Sequence, residues 1–240
     1  DEKLQIDGIS YTFPLGGITM MVGDSVDASE QFDTACVYGG PGVILSDCAA
    51  ITTAITGTTT LSGSYDFDNG FYASVGFATD GTADTAGLFT KETEDMYALN
   101  VSYTGDNYGL SVAYANIEQT DATDDTYYGI NAYWTPDGFP SISVGFEWGD
   151  DSSAGATIDE KTAWFVGIQS DEVGPGTLGA AIGSKGVQTE GSTEELQYEV
   201  FYSYDVNDGM TVTPLIYVKE ESGASTDDEV GVMVKTTFSF

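Results

Sequence analysis

Along nearly the whole chain, side chains alternate between apolar and polar with a period of two. In ISVGFEW, Ile142, Val144, Phe146 and Trp148 share one side, while Ser141, Ser143, Gly145 and Glu147 share the other. In LQYEVFYSY, Leu196, Tyr198, Val200, Tyr202 and Tyr204 oppose Gln197, Glu199 and Ser203, with Phe201 among the polar set. YALNVSY, YYGINAYW and AWFVGIQ repeat the pattern. A period of two over this many residues specifies strands with one apolar face. Runs rich in Asn, Asp, Gly and Pro separate them at 15–17, 66–71, 104–109, 135–140, 171–177 and 205–210. These are short-turn signals. Between them lie longer, more acidic connections near 24–58, 80–94, 118–125, 150–160, 187–194 and 221–228. Short and long connections alternate without exception.

That sorting has a physical meaning. An outer-membrane barrel carries short turns at one end and longer loops at the other, whereas a soluble sandwich has no reason to sort them. The fold class expected is all-β, a transmembrane antiparallel β-barrel. Thirteen strands are predicted, at about 4–14, 17–24, 59–67, 70–79, 95–104, 108–117, 126–135, 140–149, 161–171, 176–186, 195–205, 209–220 and 229–240. Bacterial single-chain barrels have even strand numbers. The odd count leads us to expect further strands upstream, one to make 14 or three to make 16. The last stretch, GVMVKTTFSF, places Val232, Val234, Thr236, Phe238 and Phe240 on the apolar side. Phe238 and Phe240 are the candidates for the girdle position and assembly signal of a closing strand.

Composition narrows the function. The 240 residues carry 39 acids and 6 bases, for a net charge of −33. All six bases are lysines, so nucleic acid is excluded as a partner, since phosphate contacts need a basic face. No apolar run of about 18 residues exists, so no transmembrane helix is predicted. There is no His, no Ser/His/Asp set, no phosphate loop and no metal-ligand spacing, so no enzyme is expected. Cys36 and Cys48 lie in a Gly/Ser/Asp-rich stretch. Free thiols are one possibility. In an oxidising compartment the two would form a disulfide worth roughly 3 kcal/mol on a chain-entropy model. That bond is expected to pin the longest loop on the outer side.

The segments ACVYGGP, LFTKE (88–92), DEVGPGT, NDGMTVTPLIYVKE (207–220) and GVMVKTTFSF together resemble the porins of marine cyanobacteria. These are the group labelled iron-uptake or SLH-domain porins, distantly similar to carbohydrate-selective porins. The resemblance runs from about residue 3 to the end. It implies that 1–240 is the C-terminal barrel part of a longer protein, with early strands and a peptidoglycan-binding domain upstream. It also implies a cyanobacterial outer-membrane homotrimer that passes inorganic ions and small hydrophilic solutes by passive diffusion. Outer-membrane lipid and the barrel-assembly machinery would be its partners. Without His or a Cys/His cluster, nothing supports specific iron ligation.

Parity then assigns the charged residues. Most acids fall in or beside the long connections, where they solvate the rim or draw cations to the mouth. TDATDD (120–125) and TDDE (226–229) are the weak candidates for Ca2+; no other cofactor or metal is expected. Lys161, Lys185, Lys219 and Lys235 share the face opposite lipid, because a lysine in hydrocarbon would cost about 2–4 kcal/mol. Together with Glu147 and Glu199 they are the pore-lining candidates, and Glu199 is expected to pair with Lys219 or Lys235. Two irregularities predict distortions: a bulge or kink at Pro214, and a bulge at Gly8 where Leu4 and Ile6 fall out of phase. The competing reading is a soluble acidic extracellular β-protein of adhesin or surface-layer type. It shares the charge and the disulfide but needs no detergent for extraction.

Overall fold

In the computed structural model, residues 8–41, 45, 48–51, 53–80, 93–118, 124–151, 159–222 and 227–239 are described. Leu4, Ile6, Phe240 and, of the two Ca2+ candidates, residues 120–123 and 226 lie outside them. The strands are β1 (Ile9–Leu15), β2 (Ile18–Asp24), β3 (Val26–Asp27), β4 (Thr56–Gly57), β5 (Thr59–Asp66), β6 (Phe71–Thr79), β7 (Asp95–Thr104) and β8 (Tyr108–Glu118). They continue as β9 (Asp124–Trp134), β10 (Ser141–Asp151), β11 (Asp159–Val173), β12 (Gly176–Ser184), β13 (Gln188–Thr189), β14 (Leu196–Asn207), β15 (Met210–Lys219) and β16 (Glu229–Phe238). The long ones form one antiparallel sheet in the order β1-β2-β5-β6-β7-β8-β9-β10-β11-β12-β14-β15-β16, each strand beside its sequence neighbour. That path holds the thirteen strands read from alternation. The two-residue β13 pairs with the outer end of β11, and β3 pairs with β4.

Every predicted short turn joins a hairpin. The tightest, between β1 and β2, needs two left-handed residues, and Gly16 (φ 60°) and Gly17 (φ 95°) supply them. Alternation in burial follows alternation in polarity. On β10, Ile142, Val144, Phe146 and Trp148 are 38–43% exposed, while Ser143 and Glu147 are 1% exposed. The outer face is therefore the apolar one, as a lipid-facing wall requires. Aromatic rings line it in contact across strands: Tyr97–Tyr114, Tyr114–Tyr128 and Tyr128–Trp148 lie 5.4–6.1 Å apart.

One local expectation is corrected, while the bulge expected at Gly8 turns on Leu4 and Ile6, outside the described residues. Pro214 causes no register shift: it pairs with Val234 of β16, and the β14–β15 register is the same on either side of it. The ladder loses only its bridges near Pro214, where Ser203 and Thr213 hydroxyls bond at 3.0 Å. The bulge lies instead at Asp205–Asn207, next to the turn. Across the sheet, β1 and β16 are the two edges and are not paired with each other. Both run from the long-loop side to the short-turn side.

Candidate functional site

The connection between β2 and β5 was expected outside. It folds inward and lies along the inner face of the wall. Its ends are clamped by the β3–β4 bridge and by Ala28 N–H donating to Ile55 O at 2.9 Å. A short 3-10 turn, Ala28–Gln31, follows, capped by Asp27, whose Oδ1 accepts from Ser29 N–H at 2.8 Å. Ala28 and Ile55 are buried against Ala78, Met96, Ala98 and Ala115 of the wall. Small inner side chains here let the loop backbone approach.

From Asp33 the loop crosses the wall extended, held by its own main chain. The N–H of Asp33 donates to Asn100 Oδ1 on β7 (3.1 Å), and that of Ala35 to Ser111 Oγ on β8 (2.9 Å). The N–H of Val37 donates to Ser143 Oγ on β10 (3.0 Å), and that of Gly39 to Gln169 Oε1 on β11 (2.7 Å). Alternate residues of an extended chain present their N–H to one side, so a period-two segment meets wall acceptors strand after strand. At the far end Lys235 Nζ of β16 donates to Pro41 O at 3.4 Å. Eight residues reach at most about 28 Å. Eight inter-strand steps, from β7 to β16, take about 38 Å along the sheet. The loop is the chord and the wall is the arc.

The returning arm is held differently. Glu147 of β10 accepts from Ile51 N–H (3.0 Å), Thr53 N–H (2.7 Å) and the Thr53 hydroxyl (2.6 Å). Asn131 of β9 donates to Cys48 O, and a Cβ at Gly145 would collide with that carbonyl. Cys36 and Cys48 are disulfide-bonded, tying the two arms together. The bond is the one expected; its place inside the wall, rather than outside, is the correction.

An apolar cluster seats the crossing. Tyr38, Leu45, Cys48 and Ala49 of the loop pack on Ala163, Phe165, Ala181, Phe201 and Leu215, all on the inner face. The Tyr38 ring lies 5.3 Å from Phe165 and 5.4 Å from Phe201. Its hydroxyl donates to Glu199 Oε1 at 2.7 Å. Gly40 lies close beside it, and a Cβ there would meet Glu199 Oε1 at 2.5 Å, so a larger residue would shift that carboxylate. The inner wall thus carries an apolar patch among its polar residues. The apolar residues at inner parity on β11, β14 and β15 mark where the loop sits.

The structure places the pore-lining candidates as follows. Glu147 and Glu199 point inward and are covered by the loop, 1% and 2% exposed. Glu199 pairs with Tyr38, not with a lysine, because register sets Glu199 opposite Tyr217 and Lys219 opposite Gln197. Lys161 pairs with Asp151 (3.3 Å) and Lys219 with Glu229 (4.0 Å), both at the long-loop end. Lys185 pairs there with Glu195 (3.0 Å) and with Glu221. Lys235 alone of these four lysines has no carboxylate partner among the described residues and lies level with the loop. At the rim, Glu195 also accepts from Ser222 Oγ and N–H, and these bonds, with Lys185, bring its carboxyl from 4.5 to about 2.

A twisted antiparallel wall, apolar outside and sorted into short turns and long loops, with one long loop folded against its inner face, defines a β-barrel channel protein of the outer-membrane type. The family model for Gram-negative porins matches residues 12–224, and the chain belongs to that family. A solved porin structure refined at 1.8 Å superposes with a TM-score of 0.67 at 15% identity, over 96% of this chain and 80% of that one. The anion-selective porin of Comamonas acidovorans gives 0.67 at 16% identity, over 97% and 88%. Vibrio cholerae OmpT in its trimer form gives 0.60 at 11% identity, over 94% and 76%. An uncharacterized protein of Nostoc sp. is 29% identical over 129 residues, 50% of this chain. The matched stretch spans only 22% of that protein's length.

Proposed function

We propose that this chain forms the wall and constriction of an outer-membrane channel for passive diffusion of inorganic ions and small hydrophilic solutes. The inward loop carries the reading. A soluble β-protein has no use for 28–55 laid across a concave face, whereas a channel needs a fixed narrowing. The outer face argues the same way, since Leu99, Val101, Leu110 and Val112 are 45–48% exposed in adjoining rows. That apolar area suits hydrocarbon and not water.

The membrane is a cyanobacterial outer membrane, a reading supported by the Nostoc relative and by the sequence resemblance. The assembly is a homotrimer. The long-loop-side aromatic row runs from Phe77 through Tyr97, Tyr114, Tyr128, Trp148 and Trp164 to Tyr198, but gives way to Val218 and Val230 on β15 and β16, and to Val22 and Leu61 on β2 and β5 before Tyr11 on β1. Aromatic girdles belong to the lipid interface, so the aliphatic stretch on β15 and β16 suits subunit contact. Phe238 on β16 offers its ring, 57% exposed, to the assembly machinery.

The test is conductance in a planar bilayer. Replacing residues 33–51 by a short Gly/Ser linker should raise single-channel conductance about severalfold, as the lumen loses its chord. Unchanged conductance would remove the loop from the ion path. Release from membranes by salt or chelator alone would support the adhesin reading instead.

A further inference from the structure

From the placement of the disulfide we infer that Cys36 is a thiol-exchange site inside the lumen, through which small neutral thiols loosen the constriction. The inference rests on the channel reading. The two sulfurs differ in surroundings. Cys48 is 0% exposed and packed in the apolar cluster with Phe165 and Ala163. Cys36 packs against the edge of the same cluster but is only half-buried, and it lines a cavity of about 410 Å3 between the arms of the loop, together with Ser29, Phe32, Thr34, Ile51 and Asn131. A reagent in the lumen meets Cys36 first.

The exchange is directional. A thiolate attacks Cys36 Sγ, the Cys36–Cys48 bond breaks, a mixed disulfide forms on Cys36, and Cys48 leaves as a thiolate that takes up a proton from solvent. A second reductant thiolate then releases Cys36 as the free thiol and departs as the oxidised reductant. The apolar setting of Cys48 disfavours its thiolate, so the exchange is slow. The cavity lining contains Asp27 and no base, and residues 24–58 contain no Lys, Arg or His. Anionic thiols are therefore disfavoured relative to neutral ones.

Breaking the bond has a mechanical consequence. The outgoing arm is anchored on β7, β8, β10 and β11 and the returning arm on β9 and β10, by separate sets of hydrogen bonds. The disulfide is the cross-link between them, in addition to the main chain that joins the arms. Without it each arm opens locally, a transition whose cost the cross-link had raised.

The experiment uses the full protein reconstituted in planar bilayers. Dithiothreitol added to open channels should roughly double the current variance and raise mean conductance. Alkylation of the native reduced protein, read by mass spectrometry, should modify Cys36 about tenfold faster than Cys48. The anionic thiol 2-mercaptoethanesulfonate should reduce the bond about tenfold more slowly than the neutral 2-mercaptoethanol. The paired variant Cys36→Ser with Cys48→Ser should show the noisy state without reductant and not respond to it. A bond that is reduced only after denaturation, equal labelling of the two thiols, or free thiols with unchanged current would each overturn the inference. A protein that forms no channels but still exchanges at Cys36 would count against the channel reading and not against the exchange site.

Discussion

Glu147 carries more of the inward loop than any other wall side chain described. Its two carboxylate oxygens receive three donors from Ile51 and Thr53. Glu147→Ala strands the buried main-chain N–H of Thr53, which costs about 1–3 kcal/mol when unsatisfied, and leaves the more exposed N–H of Ile51 to solvent. The expected result is a lower melting temperature in detergent and a noisier channel, with the strand signal in circular dichroism retained. A silent Glu147→Ala would show that Ile51 and Thr53 are held by other means. Lys235 is the residue on which ion preference should turn, because Lys161, Lys185 and Lys219 are already neutralised by carboxylates. Lys235→Glu should shift the reversal potential toward cations at every ionic strength, and Lys219→Glu should leave it nearly unchanged. Equal shifts from both would mean that Lys219 is freed from Glu229 in the working channel. At this scale parity speaks only to the side of the wall, and Glu147 and Glu199 lie on the inner side but under the loop. It could not assign partners, because a partner from a loop obeys no parity.

Among elements, strands were legible and the loop was not. Alternation placed β10 at 140–149, against Ser141–Asp151 in the structure, because a half-exposed strand writes its two faces into every second letter. The long connection 24–58 was read as an outer loop on length alone. The signals against that were present: apolar runs such as CVYGGPGVIL and CAAITTAIT in the connection, and Phe165, Phe201 and Leu215 on the polar face of three strands. Each looks like noise singly, and only the fold brings them together. The outer ends of β12, β14, β15 and β16 are tied by Lys185, Glu195, Glu220, Glu221 and Ser222. The Glu195 carboxyl, brought down to about 2, favours this tie above 4.5 and gives it up as pH falls through about 2. Hydrogen exchange at the Ser222 amide should thus stay protected across the mildly acid range and lose protection only near the lower value. Loss of protection already near pH 4.5 would refute the assigned bonds.

For the whole molecule, the wall and the loop divide the task of making a hole of fixed size. The wall supplies curvature and an apolar exterior; the loop supplies a chord. The composition bears on both. A chain with no Arg or His and 39 acids cannot place a dense cluster of bases opposite its loop, and three of the four lysines described at strand positions or strand ends are spent on rim contacts. The described pore wall therefore offers permeating ions one unpaired base and a largely neutral, polar crossing. Barrel class was legible from connection lengths alone, because a membrane makes the two ends of a barrel chemically different. The narrowing was not, because it depends on which residues meet across a space the chain encloses only once folded.

At Asp33, Ala35, Val37 and Gly39 the wall grips the crossing loop by amide hydrogens, beside the side-chain holds of Asp33 on Ser102 and Tyr38 on Glu199, and this makes Thr34, between two amide grips, a socket with interchangeable inserts. Asn100, Ser111, Ser143 and Gln169 recognise that a main chain passes and are indifferent to which residue passes. Thr34 can thus be exchanged for a larger, smaller or charged residue while the geometry of the passage is retained. For anyone who wishes to build sieves of graded mesh from one scaffold, the interchangeable position is already marked.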